Sequence, residues 1–316
     1  MASQEYKTVA ITGANGFLGK HLVTALLQAV DGPERITALD LRICDNTDDD
    51  RVDWIQCDLV NADSVEAILQ DIRPQAIVHL AGVSGNADMR TLFNVNVRAC
   101  EHLLSAAAAL EDNTRVLVVG SAAQYGITTG QDEVVSESRR LLGSIGYGAS
   151  KTMQEKWALA YGNTTSLRVT CVRPFNIIGP GQPSHLVPAA FLGQCANAVA
   201  GLTEEILVGN TSTYRDFTDV RDVVGAIWAL LKSNRAEGEI VNIASGQPLK
   251  IADILDACIE ICGTNAPVRQ DPSRLKKFDV PSIVGNITKL QDLTDWRPEI
   301  PWRKSLQETW DSMVKP

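Results

Sequence analysis

Two side chains that handle protons stand four residues apart in the stretch YGASK, Tyr147 and Lys151. If the stretch is helical, that spacing places both on one face. A phenol with an ordinary pKa of about 10 carries protons poorly at neutral pH, but an ammonium beside it favours the phenolate and moves the group toward a useful range. Taken alone, such a pair reads equally well as two surface residues on a helix. Ser121 changes that balance, because it closes an apolar, strand-like run in VVGSAAQYG. With the serine added, the three residues read as a functional site more than as a surface pair.

A second constellation precedes it. Gly13, Gly16 and Gly19 form a GxxGxxG spacing in VAITGANGFLGKHLVTALL, directly after an apolar run and at the opening of a helical pattern. Glycines there let the backbone approach a pyrophosphate, the helix start offers free N–H groups, and Gly19 permits tight helix packing. The plain alternative is an ordinary tight turn. Asp40 ends the next apolar run about 20 residues on, where a carboxylate holds the adenosine ribose hydroxyls, which favours NAD(H). Arg42, two residues later, would pair with a 2′-phosphate and keeps NADP(H) open. Asp58 and Leu59, and then Leu80, Ala81 and Gly82, follow the third and fourth runs, at strand ends where a ligand crevice opens; the alternative for either stretch is plain loop chemistry.

The elements that must position these groups alternate. Strand-like runs are expected at Thr8 to Thr12, Ile36 to Asp40, Asp53 to Cys57, Ala76 to Leu80, Arg115 to Gly120 and Leu167 to Arg173. Helical patterns fall between them at Phe17 to Val30, Ser64 to Ile72, Asn94 to Leu110 and Tyr147 to Tyr161. Runs such as VLVVG and AIVHLAG are apolar on both faces, as strands buried between helix layers must be. The expected class is therefore α/β, a Rossmann-like doubly wound parallel sheet with a smaller α/β C-terminal lobe. Residues 1–173 would form the dinucleotide-binding part, with a return at 216–245 where Asp219 to Lys232 reads as helix and EIVNIAS as strand. The segments 174–215 and 246–316 would form the substrate lobe.

Composition narrows the function. A formal charge of −9 over 316 residues disfavours a nucleic-acid partner. The start MASQEYKTVAITG, like the rest of the chain, holds no apolar stretch of signal-peptide or membrane-spanning length, so a cytoplasmic protein without a membrane partner is expected. The seven cysteines, Cys44, Cys57, Cys100, Cys171, Cys195, Cys258 and Cys262, are odd in number and lack paired CxxC spacing, which reads as reduced packed thiols and no metal site. His79 lies within an apolar strand and reads as a satisfied core histidine.

With these residues in hand, the chain resembles the extended branch of the short-chain dehydrogenase/reductase superfamily, the nucleotide-sugar epimerases, dehydratases and reductases. The resemblance runs through TGANGFLG, CDL, VHLAG, FNVN, GSAAQYG, YGASK, RPFNIIGPGQ and YRDFTDVRDVV. The last two, with the DPSRLKKFDVPSIVGNITKL tail, look most like the reductases of GDP-4-keto-6-deoxy-mannose. The resemblance implies that Ser121 and Tyr147 bind the sugar carbonyl, Tyr147 supplies the proton, and Lys151 tunes it and meets the nicotinamide ribose. It adds Asn15, Phe17, Leu18, Asn96 and Pro174 to the cofactor site. It places Ser84, Asn86, Asn176, His185, Arg215 and Lys276 near a nucleotide-sugar substrate, and implies a homodimer. Without the resemblance, Arg215 reads as readily as an ion pair with Asp216 or Asp219.

The chain also departs from its cousins. Dehydratases of this branch carry acidic residues just after the strand-end hydroxyl, whereas Ala122 and Ala123 stand here, so elimination lacks its base. Ile177 replaces the histidine of RPFNHIGPGQ in the compared reductases. Three readings follow: an NAD(P)H-dependent 4-keto-6-deoxy sugar-nucleotide reductase, an NAD-dependent 4-epimerase using the same residues, and a dinucleotide sensor without chemistry. An intact Ser121, Tyr147 and Lys151 set argues against the third.

Overall fold

A computed structural model of the chain describes residues 5–43, 49–85, 87–126, 134–143, 146–275 and 280–314. Seven parallel strands form the central sheet: β1 (Thr8–Thr12), β2 (Arg35–Asp40), β3 (Val52–Gln56), β4 (Ala76–His79), β5 (Arg115–Val119), β6 (Arg168–Pro174) and β7 (Ile240–Ile243). Their spatial order is β7-β6-β5-β4-β1-β2-β3. The order reverses between β1 and β4, so the chain leaves these two strands in opposite directions and a crevice opens above their carboxyl ends.

Alternation along each strand explains the apolar runs. Val9 and Ile11 face one core layer while Ala10 faces the other, and Leu117 and Val119 likewise oppose Val116 and Val118. The first layer is covered by α1 (Phe17–Gln28), which supplies Leu22, Val23 and Leu26. The second is covered by α2 (Ala62–Ile72), α3 (Ala99–Ala108) and α4 (Tyr147–Thr164), with Leu69, Leu103, Leu104 and Ala158 among its buried residues. Both faces of the sheet are thus dry, as the sequence predicts.

After β6 the chain makes α5 (Val187–Val199), α6 (Val220–Lys232), α7 (Ile251–Cys262) and α8 (Trp302–Val314). Helix α6 lays Val223, Val224 and Ile227 on the first core layer, and β7 pairs with β6 from Ile240 against Cys171 to Ile243 against Pro174. Helices α5, α7 and α8 enclose a separate cluster of Phe191, Leu192, Cys195, Ile254, Leu255, Cys258 and Leu306. The six described cysteines are free thiols, five of them buried; Cys44 lies outside the described residues.

Most element ends fall within one or two residues of expectation, and three departures bear on the site. Helix α6 begins at Val220 because Asp219 caps it, accepting from the Arg221 N–H. Helix α4 runs three residues further, to Thr164. The expected helix from Asn94 to Leu110 is not uniform: Phe93–Arg98 is wound as a π-helix before α3 begins. Asn96 in that wider turn is buried, and its carboxamide bonds the Val83 backbone and Ser150 Oγ. Widened turns of this kind aim one side chain inward. Among the described residues no helix is long and apolar enough to cross a membrane.

Candidate active site

Strand β1 ends at the glycine turn. Gly13 has φ +69°, and a Cβ there would lie 2.8 Å from the Ala81 nitrogen, so only glycine lets this turn pass under the loop leaving β4. A Cβ on Gly19 would come within 2.3 Å of the Gly13 carbonyl oxygen and 2.6 Å of that of Ala14. The three glycines therefore let α1 start hard against the end of β1. Gly16 caps α1 with no side-chain bond, and the first turn carries no acid, so its leading N–H groups and the positive end of the helix dipole face the crevice. Phe17 stacks edge-on against His21, whose Nε2 sits 2.8 Å from the Pro180 oxygen, and Leu18 packs on the core. Those two side chains brace the helix start.

Asp40 faces the same turn. Its carboxylate accepts from the Asn15 N–H at 3.0 Å and from the Arg42 N–H at 3.3 Å, and the Arg42 side chain is exposed beside it. Asp58 is exposed after β3 and closes a turn by accepting from the Val60 N–H, while Leu59 is buried in the second core layer. Leu80 and Ala81 hold the β4 loop to β1 through the Thr12 oxygen and hydroxyl, at 3.1 and 3.3 Å. Gly82 is exposed, and a Cβ on it would meet Lys151 Nζ at 3.2 Å and Asn96 Oδ1 at 3.0 Å. These contacts bring the glycine turn, the β4 loop and α4 to one place. Asn96 acts there as a brace rather than an open contact, since its carboxamide is already bonded to Val83 and Ser150.

Ser121 follows β5 and caps a 3-10 turn, Ala122–Tyr125. Its hydroxyl accepts from the Ala123 N–H at 3.1 Å and lies close enough to the Tyr147 phenol to oppose the rise in its pKa. Tyr147 opens α4, and Lys151 follows one turn later, buried, donating to the Val119 oxygen and to Gln154 Oε1, each at 2.8 Å. The sequence expectation that the ammonium pulls the phenol down is reversed here. Burial pushes Tyr147 up, and the opposing influence is the Ser121 hydroxyl, not the lysine. Burial also holds the Lys151 ammonium down at about 8. His79 beneath them is only half satisfied. Its Nδ1 lies 2.7 Å from Thr12 Oγ1, its Nε2 finds no partner among the described residues, and burial with the Lys151 charge depresses it to about 3.

The substrate-side residues are less assembled. Ser84 is exposed in the loop after β4, His185 is exposed before α5, and Pro174 is buried in β6 beside Ile243. Asn176 donates its amide to the Asp216 oxygen at 3.0 Å. Arg215 does not rest on its acidic neighbours in the way the simple alternative supposes: its Nη1 donates to the Tyr214 and Val280 oxygens, each at 2.7 Å. Asp216 is enclosed by Ser245, Gly246 and Gly285, and Asp219 by Arg221 and Ser305. Asn86 and Lys276 lie outside the described residues. Sequence reading passed over His21, Gln124, Glu155 and Arg173, all of which brace the site. The sequence signal for Glu155 was its place four residues beyond Lys151, which extends the helix face by another turn.

The NAD dependent epimerase/dehydratase family profile matches residues 9–244. The chain belongs to this family. It is similar to a GDP-6-deoxy-D-mannose reductase of Pseudomonas aeruginosa, at 31% identity over 96% of this chain and 97% of the relative. It is also similar to a GDP-6-deoxy-D-talose 4-dehydrogenase of Aggregatibacter actinomycetemcomitans, at 28% identity over 89% of each. Among solved structures, that of RMD from Pseudomonas aeruginosa complexed with NADPH superposes with a TM-score of 0.83, 28% identity and coverage of 97% of this chain and 98% of the other. The chain is accordingly an NAD(P)-dependent enzyme with a Rossmann-like fold, and the extended short-chain dehydrogenase/reductase resemblance read from its motifs holds.

Proposed function

We propose that this enzyme reduces a nucleotide-linked 4-keto-6-deoxy sugar, of the GDP-4-keto-6-deoxymannose type, to the 4-hydroxy sugar with NAD(P)H. The observation that carries the reading is the convergence at the end of β5 of the Ser121 hydroxyl, the Tyr147 phenol that opens α4, and Lys151 one turn on, which is anchored to the Val119 oxygen; burial pushes the phenol's pKa up. Reduction of a carbonyl needs a proton donor beside the oxygen, and a buried, protonated phenol is one. The similarity to a GDP-6-deoxy-D-mannose reductase supports the sugar class. Ala122 and Ala123 supply no carboxylate for dehydration.

The uncapped start of α1 and the glycines would hold the pyrophosphate, Asp40 the adenosine ribose, and Lys151 with Tyr147 the nicotinamide ribose. Asp40 favours NAD(H), with Arg42 available to a 2′-phosphate. Bound reduced nicotinamide supplies the hydride. The chain's own part is the proton and the charge: Ser121 and Tyr147 donate to the carbonyl oxygen as it becomes an alkoxide, Tyr147 gives up its proton there, and the Lys151 ammonium lies beneath. Residues 1–173 with 216–245 would carry the cofactor, and 174–215 with 246–316 the nucleotide sugar through Ser84, Asn86, Asn176, His185, Arg215 and Lys276. Free buried cysteines agree with a cytosolic setting.

The test follows reduced-cofactor absorbance with GDP-4-keto-6-deoxymannose. We expect one cofactor oxidised per sugar reduced; product formed without net cofactor turnover would make the enzyme a 4-epimerase instead. Tyr147→Phe should lower kcat by roughly a thousandfold while cofactor affinity stays near wild type, in keeping with loss of an acid that also stabilises the oxyanion. Wild-type activity in that variant would refute the assignment.

A further inference from the structure

Three successive turns of one α4 face touch the end of β5. Tyr147 lies beside the Ser121 hydroxyl, Lys151 donates to the Val119 oxygen, and Glu155 accepts from Gln124 Nε2 at 2.9 Å. The first two belong to the site already described. The third lies behind it, and its chemistry points back to Ser121.

Gln124 is buried, and its two ends are assigned different work. Its Oε1 accepts from the Ser121 N–H at 2.9 Å, and its Nε2 donates to the Glu155 carboxylate. A carboxamide presents an acceptor at one corner and a donor at the other at every pH, and the neighbours admit one orientation: a flip would set N–H against N–H and oxygen against carboxylate. Glu155 is itself immobilised. Arg173 grips it in a two-pronged contact at 2.8 and 2.7 Å, with side chains 1% and 2% exposed, and reaches on to the Tyr125 hydroxyl and the Glu137 oxygen. A paired, two-pronged contact is what makes a buried carboxylate tolerable, and it restricts where that carboxylate sits. Gly120 completes the cradle, since a Cβ there would fall 2.3 Å from Gln124 Oε1 and displace the carboxamide.

We propose that Gln124 is a positioning residue for the reaction: clamped between the Ser121 N–H and the Glu155–Arg173 pair, it holds Ser121 in the backbone conformation that aims its hydroxyl at Tyr147. That conformation is extended, φ −167° and ψ 148°, at the point where the strand breaks into a 3-10 turn. The inference rests on the reductase reading and deepens it: Gln124 touches neither substrate nor cofactor in this scheme and acts through Ser121.

The test is a double-mutant cycle on the full-length enzyme with GDP-4-keto-6-deoxymannose and reduced cofactor. Gln124→Met keeps the length and removes both hydrogen bonds. We expect kcat to fall roughly 10- to 100-fold, as for a misaimed oxyanion donor, with KM within about threefold of wild type. In a Ser121→Ala background the same change should cost less than about twofold, because residues acting through one another are not additive. Wild-type kcat in Gln124→Met, or an equal loss in both backgrounds, overturns the proposal. If Gln124→Met melts below the assay temperature by circular dichroism, Gln124→Glu carries the test. Facing Glu155 and Arg173, the new acid reproduces the carboxamide only when protonated, so kcat should show an added fall with rising pH that is absent from wild type and from the Ser121→Ala double variant. A profile identical to wild type overturns it. Full activity in Ser121→Ala alone would instead refute the role of Ser121, and with it the reductase mechanism.

Discussion

At the scale of single residues the site is decided by burial. Tyr147 and Lys151 share a helix face, as their spacing predicts, yet the lysine is turned to the Val119 oxygen and Gln154, and burial shifts both groups toward their neutral forms. For a reductase this is favourable, because the neutral phenol is the proton donor. It also sets a pH dependence. Reduction should be flat on the acid side of about 8 and fall above it as Lys151 loses its proton. Lys151→Met should abolish that inflection in a kcat profile; an unchanged inflection would assign it elsewhere. Stability must move the other way. The folded pKa of Lys151 lies below its ordinary value of 10.5, so between about 8 and 10.5 the unfolded chain binds more protons and the native state gains stability as pH rises. The melting difference between Lys151→Met and wild type should shift by the corresponding amount across that window.

At the scale of elements, close approach governs. The meeting of β1, the β4 loop and α1 works because glycines stand where backbone touches backbone. Gly19→Ala would force a methyl group within 2.3 Å of the Gly13 oxygen, and carbonyl groups cannot retreat as a flexible side chain can. We expect a loss of about 1–3 kcal/mol, typical of overpacking, together with at least about tenfold weaker cofactor binding as the turn is displaced. Denaturant unfolding and cofactor titration measure the two; a variant that is stable and binds normally would show that the turn has slack. The glycine spacing was legible in the sequence because its period and its place after an apolar run are local. The π-helical turn at Phe93–Arg98 was not, since it arises from Asn96 reaching Val83 and Ser150, the latter 54 residues away.

For the whole molecule, the outer face of α4 raises the question of assembly. Met153 and Trp157, one turn apart, are 47% and 49% exposed, and Phe93 in the adjoining π-helical turn is 46% exposed. We propose that this face packs against a second copy, in line with the homodimer expected from the family resemblance. Large apolar side chains grouped on an outer helix face mark such surfaces. Trp157→Glu should then convert a dimer to a monomer in light scattering at micromolar concentration while leaving the fold intact, and a wild-type chain that scatters as a monomer would refute the assignment.

Sequence by itself determined the alternating strands and helices, the dry parallel sheet, the dinucleotide turn and the candidates Ser121, Tyr147 and Lys151. Each of these depends on short-range periodicity, on turn chemistry, or on residue types within one or two turns of helix. Only tertiary structure decided that burial and not the lysine sets the direction of the shift at Tyr147, that Asn96 braces a loop, that Arg215 turns to backbone oxygens, and that Gln124 and Glu155 stand behind Ser121. The physical reason is common to all four. Desolvation and hydrogen-bond partnership are set by what comes to lie opposite a side chain, and the partner of Glu155 on β6, Arg173, is 18 residues away and meets it only once helix and strand have packed.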